Sequence, residues 1–394
     1  MPLSYGTPPS PPGMTSRPDA PAPMRRRGPR PLMLHLVLGT NATAFAAGSP
    51  NSSSASPNAG IPDPALLAGI AAYRRHPYVR MLDDPPVLWT EGESRLLDYG
   101  GSGPVVLFVP SLINRAYVLD LAPERSMLRW LAARGVHPVL LDWGWPGPAE
   151  RQFTLTDYVA GRLERAIEAT PGPVVLAGYC MGGLLTMAAA QRRPDRVSAL
   201  ALLATPWDFH AANPAIAGQA MTVLQAIGPM LAAGTLPIDA LQSLFALQDP
   251  GGVAAKYRTF AALDQASERA RMFVAIEDWL ADGVPLAAPV ARECFGGWYG
   301  ANSTARGAWR IAGQVVDPAA LRLPSLVATP ARDRIVPPES AQPLAELIPG
   351  AAHIQPKAGH VGMVAGGRAE SQLWQPLLDW LHGLQATMSV SGRK

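Results

Sequence analysis

Residues 173–192 run PVVLAGYCMGGLLTMAAAQR, an apolar β-rich stretch that passes through Gly178-Tyr179-Cys180-Met181-Gly182-Gly183 directly into a helix-like stretch. A strand that becomes a helix within so few residues must hold Cys180 at the apex in strained backbone geometry. Side chains two residues to either side would strike the neighbouring strand and helix, so Gly178 and Gly182 are required by the turn. The pattern is a nucleophile elbow with cysteine in the place usually held by serine. It also sets the sulfur at a helix N-terminus, where backbone N–H groups favour a thiolate and can bind an oxyanion.

Such a turn belongs in an open parallel sheet, and the rest of the chain agrees. PVVLFVP (104–110), HPVLLD (137–142), SALALLATP (198–206), PSLVATP (324–330) and AAHIQPKAG (351–359) are further short apolar or β-rich runs that end in turn residues. Between them lie helical patterns at 124–134, 155–169, 182–192 and 339–347. Strands alternating with helices predict an α/β fold whose mostly parallel sheet is flanked by helices. Residues 210–315 break the rhythm with Ala, Leu, Met and Trp at helical spacing and no strand runs, which predicts an inserted helical cap. The domains expected are core at 63–209, cap at 210–315, core again at 316–387 and a flexible end at 388–394.

Fourteen of the 42 prolines fall within the first 64 residues, among Ser, Ala and Gly, a composition that cannot bury enough apolar surface to fold. Residues 1–62 are therefore expected to be disordered. Within them Arg25-Arg26-Arg27 followed by PLMLHLVLG has the outline of a signal peptide. It fits an interfacial docking segment or a plain tail as well. No run of eighteen uncharged apolar residues exists, which argues against a transmembrane helix. The formal charge of +3 also misleads: residues 1–62 carry five Arg and one Asp, leaving the folded part at −1. A basic tail on a near-neutral body argues against a nucleic-acid surface. Two cysteines, Cys180 and Cys294, make no disulfide framework and point to the cytoplasm. They lack zinc-site spacing, and no glycine loop for phosphates or dinucleotides is present.

The elbow calls for an acid and then a histidine at later strand ends. Asp333 follows PSLVATP, and His360 follows AAHIQPKAG in a glycine loop. Asp208, after the 198–206 run, is the rival acid, but chain order favours Asp333. Asp142 also ends a strand and is assigned to loop anchoring. Cys294, in the cap, reads as a small buried hydrophobe. The expected roles are Cys180 as nucleophile, His360 as base and Asp333 as the group fixing its tautomer. The Met181 N–H supplies one oxyanion donor, and a second comes from the loop near Ser111 or Leu112.

These residues resemble the short-chain class of polyhydroxyalkanoate synthases and their α/β-hydrolase relatives. PSLINRAYVLDL (110–121), PERSMLRWLAARGVHPVLLDWGWP (123–146) and FTLTDYVAGRLERAIE (153–168) are similar to that family's segments around the third strand, the next strand and the helix before the elbow. AGYCMGGLL (177–185), ARDRIVPP (331–338) and GHVGM (359–363) resemble its Cys, Asp and His motifs. The resemblance implies the α/β-hydrolase fold and a polyester-forming acyltransferase that takes 3-hydroxyacyl groups from coenzyme A thioesters onto Cys180. Coenzyme A would be part of the substrate, with no bound cofactor. A second synthase subunit or a homo-oligomer, and a polymer-granule surface, are the partners implied. The same triad on the same fold equally suits a Cys-dependent esterase or thioesterase acting on hydroxyacyl esters or polyester. Residues 271–300 keep only the outline of the family's region.

Overall fold

In the computed structural model, which describes residues 26–37 and 63–391, eight strands form one sheet. In chain order they are β1 (Val87–Glu91), β2 (Ser94–Asp98), β3 (Val105–Val109), β4 (His137–Asp142), β5 (Val174–Tyr179), β6 (Val197–Leu203), β7 (Ser325–Ala328) and β8 (Ala352–Ile354). Across the sheet the order is β1-β2-β4-β3-β5-β6-β7-β8. β2 runs antiparallel to both neighbours, and every other pairing is parallel. The chain thus steps outward from β3 in both directions, which brings the C-terminal ends of β3 and β5 to β8 together along one edge of the molecule.

The side-chain period of two sorts the strand residues onto two cores. Leu107, Val109, Leu176, Leu200, Leu202 and Val327 face the helix Met181–Arg192. Val106, Phe108, Val175, Ala177, Ala199 and Ala201 face the helix Gln375–Ser391 through Leu377 and Leu381. Because both faces are covered, the central strands are apolar without alternation, which is why they stand out in the sequence.

Between β6 and β7 lie the helices Ile216–Leu231, Ile238–Ala246, Pro250–Ala261 and Glu268–Ala281, then a π-helical stretch, Glu293–Gly300. This region also holds two antiparallel ribbons, Thr235–Leu236 with Leu286–Ala287 and Arg310–Ile311 with Gln314–Val315. Each is too short to leave a strand pattern in the sequence. The β1–β2 hairpin, turning at Gly92, was likewise not expected.

The tail departs from expectation. Residues 26–37 dock instead of remaining unstructured, and residues 32–37 form a helical turn. Arg26 Nε binds both oxygens of Asp278 at 2.6 and 2.9 Å, and its other nitrogens donate to the carbonyls of His76 and Tyr78. His35 is buried edge-on against Tyr257, with ring centroids 5.9 Å apart. Tyr257, Phe260, Leu66, Ile70 and Tyr73 make a third core beneath it, joining the helix Pro64–Arg75 to the cap. The rest of the proposed tail lies outside the described residues. At the other end the last helix continues to Ser391, past the expected flexible boundary at 387.

Candidate active site

β5 ends at Tyr179 and the next helix begins at Met181, so Cys180 makes the turn alone, with φ 57° and ψ −129°. A non-glycine residue in that region carries strain of about 1–3 kcal/mol, which the surroundings must hold in place. Cys180 N–H donates to the Leu203 carbonyl at 2.8 Å, and the Cys180 carbonyl accepts from Gly183 N–H at 3.0 Å. A Cβ at Gly178 would collide with the Thr186 hydroxyl and Gly183 Cα, and one at Gly182 with the Val109 and Pro110 carbonyl oxygens. Backbone therefore passes backbone at a distance only glycine permits.

The acid and the histidine arrive from neighbouring strand ends. Asp333, 4% exposed, follows β7. Its Oδ1 accepts the N–H groups of Ile335 and Val336 at 2.8 and 2.9 Å, and its Oδ2 lies 2.6 Å from His360 Nδ1. His360 opens the short helix His360–Ala365 after β8, with its ring near enough to the Cys180 sulfur for that sulfur to act on its charge. Burial works against a charged imidazole, yet the Cys180 sulfur and Asp333 outweigh it and push the His360 pKa up to about 10. Cys180, His360 and Asp333 are thus brought together as a linked set.

The rival acid is occupied elsewhere. Asp208 Oδ1 accepts from His210 N–H in its own loop and from Asn302 Nδ2 beyond the π-helical stretch of the cap, both at 2.9 Å. Asp142 accepts from Arg95, from Arg115 and from Gly144 N–H, each at 3.2 Å, which ties β4 to β2 and to the loops beside it. Cys294 is buried among apolar side chains, and burial pushes its thiol well up.

Met181 is the first residue of its helix, so no intrahelical carbonyl is available to its N–H. Leu112 is buried in the same core as Met181, in the loop after β3 that packs on Gly182. Trp143 Nε1 donates to Pro110 O at 3.0 Å and fixes that loop. Ser111 turns its hydroxyl to the Ile113 N–H at 3.2 Å, 3.9 Å from Met181 Sδ.

One aromatic residue beside the site has no assignment from the sequence. The Tyr179 ring sits 5.1 Å from the His360 ring, and its hydroxyl donates to the His360 carbonyl at 3.2 Å, so it positions the imidazole. Its place beside Cys180 was the only available signal.

The sequence model of the alpha/beta hydrolase fold matches residues 104–366. The chain is 30% identical over 311 residues to the poly(3-hydroxyalkanoate) polymerase subunit PhaC of Haloferax mediterranei, covering 75% of this chain and 63% of that protein. It is 28% identical to the subunit of the same name from Allochromatium vinosum, covering 70% of this chain and 80% of that one. The corresponding Synechocystis subunit is 28% identical over 292 residues, 70% of this chain and 77% of its own. The match therefore spans under two thirds of the Haloferax protein and about four fifths of the others. The chain belongs to the alpha/beta hydrolase fold family, and its similarity to the poly(3-hydroxyalkanoate) polymerase subunits extends over 70–75% of its length.

Proposed function

We propose that the protein is a polyhydroxyalkanoate synthase-like acyltransferase working through a thioester on Cys180. The observation that carries this reading is the Asp333–His360 pair, closed at 2.6 Å, with the same ring feeling the sulfur of a cysteine at the elbow. Similarity to polymerase subunits supports the choice of substrate class, (R)-3-hydroxyacyl coenzyme A.

In the first half-reaction Cys180 Sγ attacks the thioester carbonyl carbon, and the oxyanion is held by the Met181 N–H with a second N–H from the Leu112 loop. The bond to coenzyme A sulfur breaks, and the His360 imidazolium gives its Nε2 proton to the departing thiolate. In the second, Nε2 takes the proton from the hydroxyl of an incoming hydroxyacyl group, whose oxygen attacks the Cys180 thioester. An ester forms, and Cys180 leaves as thiolate beside a restored imidazolium. Asp333 keeps Nδ1 as the donor throughout and balances the ring's charge. Cysteine suits this cycle because its thioester retains the activation of the incoming acyl group, which a serine ester would lose. No cofactor is needed for either half.

The test is purified protein with 3-hydroxybutyryl-coenzyme A, following free thiol and ester-linked product together, beside Cys180→Ala. Thiol release with growing polyester, lost in the variant, is the expected result. Thiol release with only free hydroxy acid identifies a Cys-dependent hydrolase. No release until a second subunit is added identifies the chain as one half of a two-component enzyme. Placement in the cytoplasm at polymer granules follows from the same reading. Among the described residues no helix is long and apolar enough to cross a membrane.

A further inference from the structure

Residues 110–115, the loop after β3, belong to no helix or strand, so individual contacts and not a ladder decide where their N–H groups point. The loop touches the elbow directly. A Cβ at Gly182 would strike the Pro110 carbonyl oxygen, and the Ser111 hydroxyl lies 3.9 Å from Met181 Sδ. Among the described residues the Leu112 N–H finds no acceptor, which leaves it free to serve an oxyanion. Just past Leu112 the cap takes hold of three consecutive residues. Val284 N–H donates to the Ile113 carbonyl at 2.6 Å, Gln242 Nε2 reaches Asn114 Oδ1 at 3.4 Å, and Trp279 Nε1 donates to the Arg115 carbonyl at 2.7 Å.

Trp279 is the firmest of these ties among the side chains. It is 3% exposed, and its indole has a single donor, which it spends on this carbonyl. The residue before it is Asp278, the carboxylate that receives Arg26 from the docked arm at 2.6 and 2.9 Å. Arg26 also donates to the carbonyls of His76 and Tyr78, so it pins the end of the helix Glu268–Ala281 to the body of the fold. The arm then passes the last residue of that helix, where a Cβ at Gly28 would come 3.5 Å from Ala281 Cβ. Adjacent residues at one helix end therefore hold the arm on one side and the loop beside Cys180 on the other.

We propose that Trp279 positions the oxyanion-hole loop through the Arg115 carbonyl, and that the docked arm steadies Trp279 through Arg26 and Asp278, so that the arm sets the rate of acyl transfer at Cys180. This rests on the reading of Cys180 as an acyl nucleophile. An oxyanion donor works only when aimed at the place the charged oxygen will occupy, and losing one costs about 10²–10³-fold. A displacement of about 1 Å can cost about 100-fold. Trp279 touches neither the sulfur nor the reacting carbonyl, so it is a positioning residue, and its influence is confined to steps in which an oxyanion develops.

That confinement supplies the test. Release of coenzyme A thiol from 3-hydroxybutyryl-coenzyme A and alkylation of Cys180 by iodoacetamide are measured for wild type, Trp279→Phe, Arg26→Ala and Cys180→Ala. Alkylation is displacement at a saturated carbon and forms no oxyanion. Trp279→Phe, which keeps most of the packing and loses the N–H, is expected to lower kcat by about 10-fold or more with KM within about twofold. Arg26→Ala should lower kcat in the same way by about threefold, and Cys180 should be alkylated in both at the wild-type rate. An unchanged kcat in Trp279→Phe, or a change in KM alone, overturns the proposal. Alkylation that falls in step with thiol release overturns it too, since the whole site has then loosened. A normal kcat in Arg26→Ala beside an impaired Trp279→Phe removes the arm from the clamp. Wild type that releases thiol no faster than Cys180→Ala sinks the Cys180 reading itself, and this inference with it.

Discussion

Asp333 Oδ2 lies 2.6 Å from His360 Nδ1, while the other oxygen of the same carboxylate is saturated by the N–H groups of Ile335 and Val336. One oxygen is therefore structural and the other acts on the imidazole. In Asp333→Asn the amide oxygen keeps the turn, but an amide N–H then faces Nδ1 and favours the wrong ring tautomer. We expect thiol release to fall by roughly 10³–10⁴-fold. The melting temperature should move far less than in Asp333→Ala, where the two turn N–H groups lose their acceptor. Equal thermal losses in the two variants, or an active Asp333→Asn, would contradict this division of labour.

His360 links the site to pH. Its pKa in the folded protein is raised from 6.5 to about 10, against burial, by the Cys180 sulfur first and Asp333 next. A raised folded pKa gives stability that is fully present below the unfolded value of 6.5 and is lost as pH rises through about 10. The wild-type melting temperature should therefore decline across that window relative to His360→Gln, which lacks the titrating ring. In Cys180→Ala the sulfur is gone, so the His360 titration followed by NMR should move to lower pH. An unmoved titration would mean that the sulfur does not set the charge of the ring.

How much of this was legible follows from where each signal lives. The elbow could be read because backbone crowding at Gly178 and Gly182 leaves a fixed mark in sequence. Asp333 and His360 could be read because chain order around a parallel sheet is limited, and β5 to β7 are apolar enough to locate. β1 and β2 were missed: at the sheet edge β1 is largely exposed and lacks the continuous apolar run of the central strands. Residues 26–37 read as disordered from their composition, yet Arg26 meets Asp278, 252 positions away, and no local pattern reveals such a partner.

The glycines give a paired test of the elbow. Gly182→Ala would drive a Cβ into the Val109 carbonyl, backbone against backbone, where no side chain can swing aside. A destabilisation of at least about 2 kcal/mol with loss of activity is expected. Gly218, inside the helix Ile216–Leu231, has open space where a Cβ would go. Gly218→Ala should leave activity intact and add about 0.5–1 kcal/mol, because alanine loses less backbone freedom in a helix. Denaturant midpoints for the two variants would decide the matter, and a tolerated Gly182→Ala would mean the elbow is looser than described.

The docked arm predicts that the cap depends on sequence far upstream of it. Arg26, with its side chain 13% exposed, is held by Asp278 on the helix Glu268–Ala281, and Asp278 Oδ1 also accepts from the Tyr73 hydroxyl at 2.9 Å. One carboxylate thus joins the arm, the helix Pro64–Arg75 and the cap. Asp278→Asn keeps an acceptor for Tyr73 but removes the charge facing Arg26. A loss of about 1–2 kcal/mol is expected, below that of a fully buried pair because Asp278 is 32% exposed. Arg26→Ala should cost a similar amount, and the double variant should cost less than the sum because the two changes remove one interaction. Strict additivity of the two substitutions would show that the arm and the cap are not coupled through this pair.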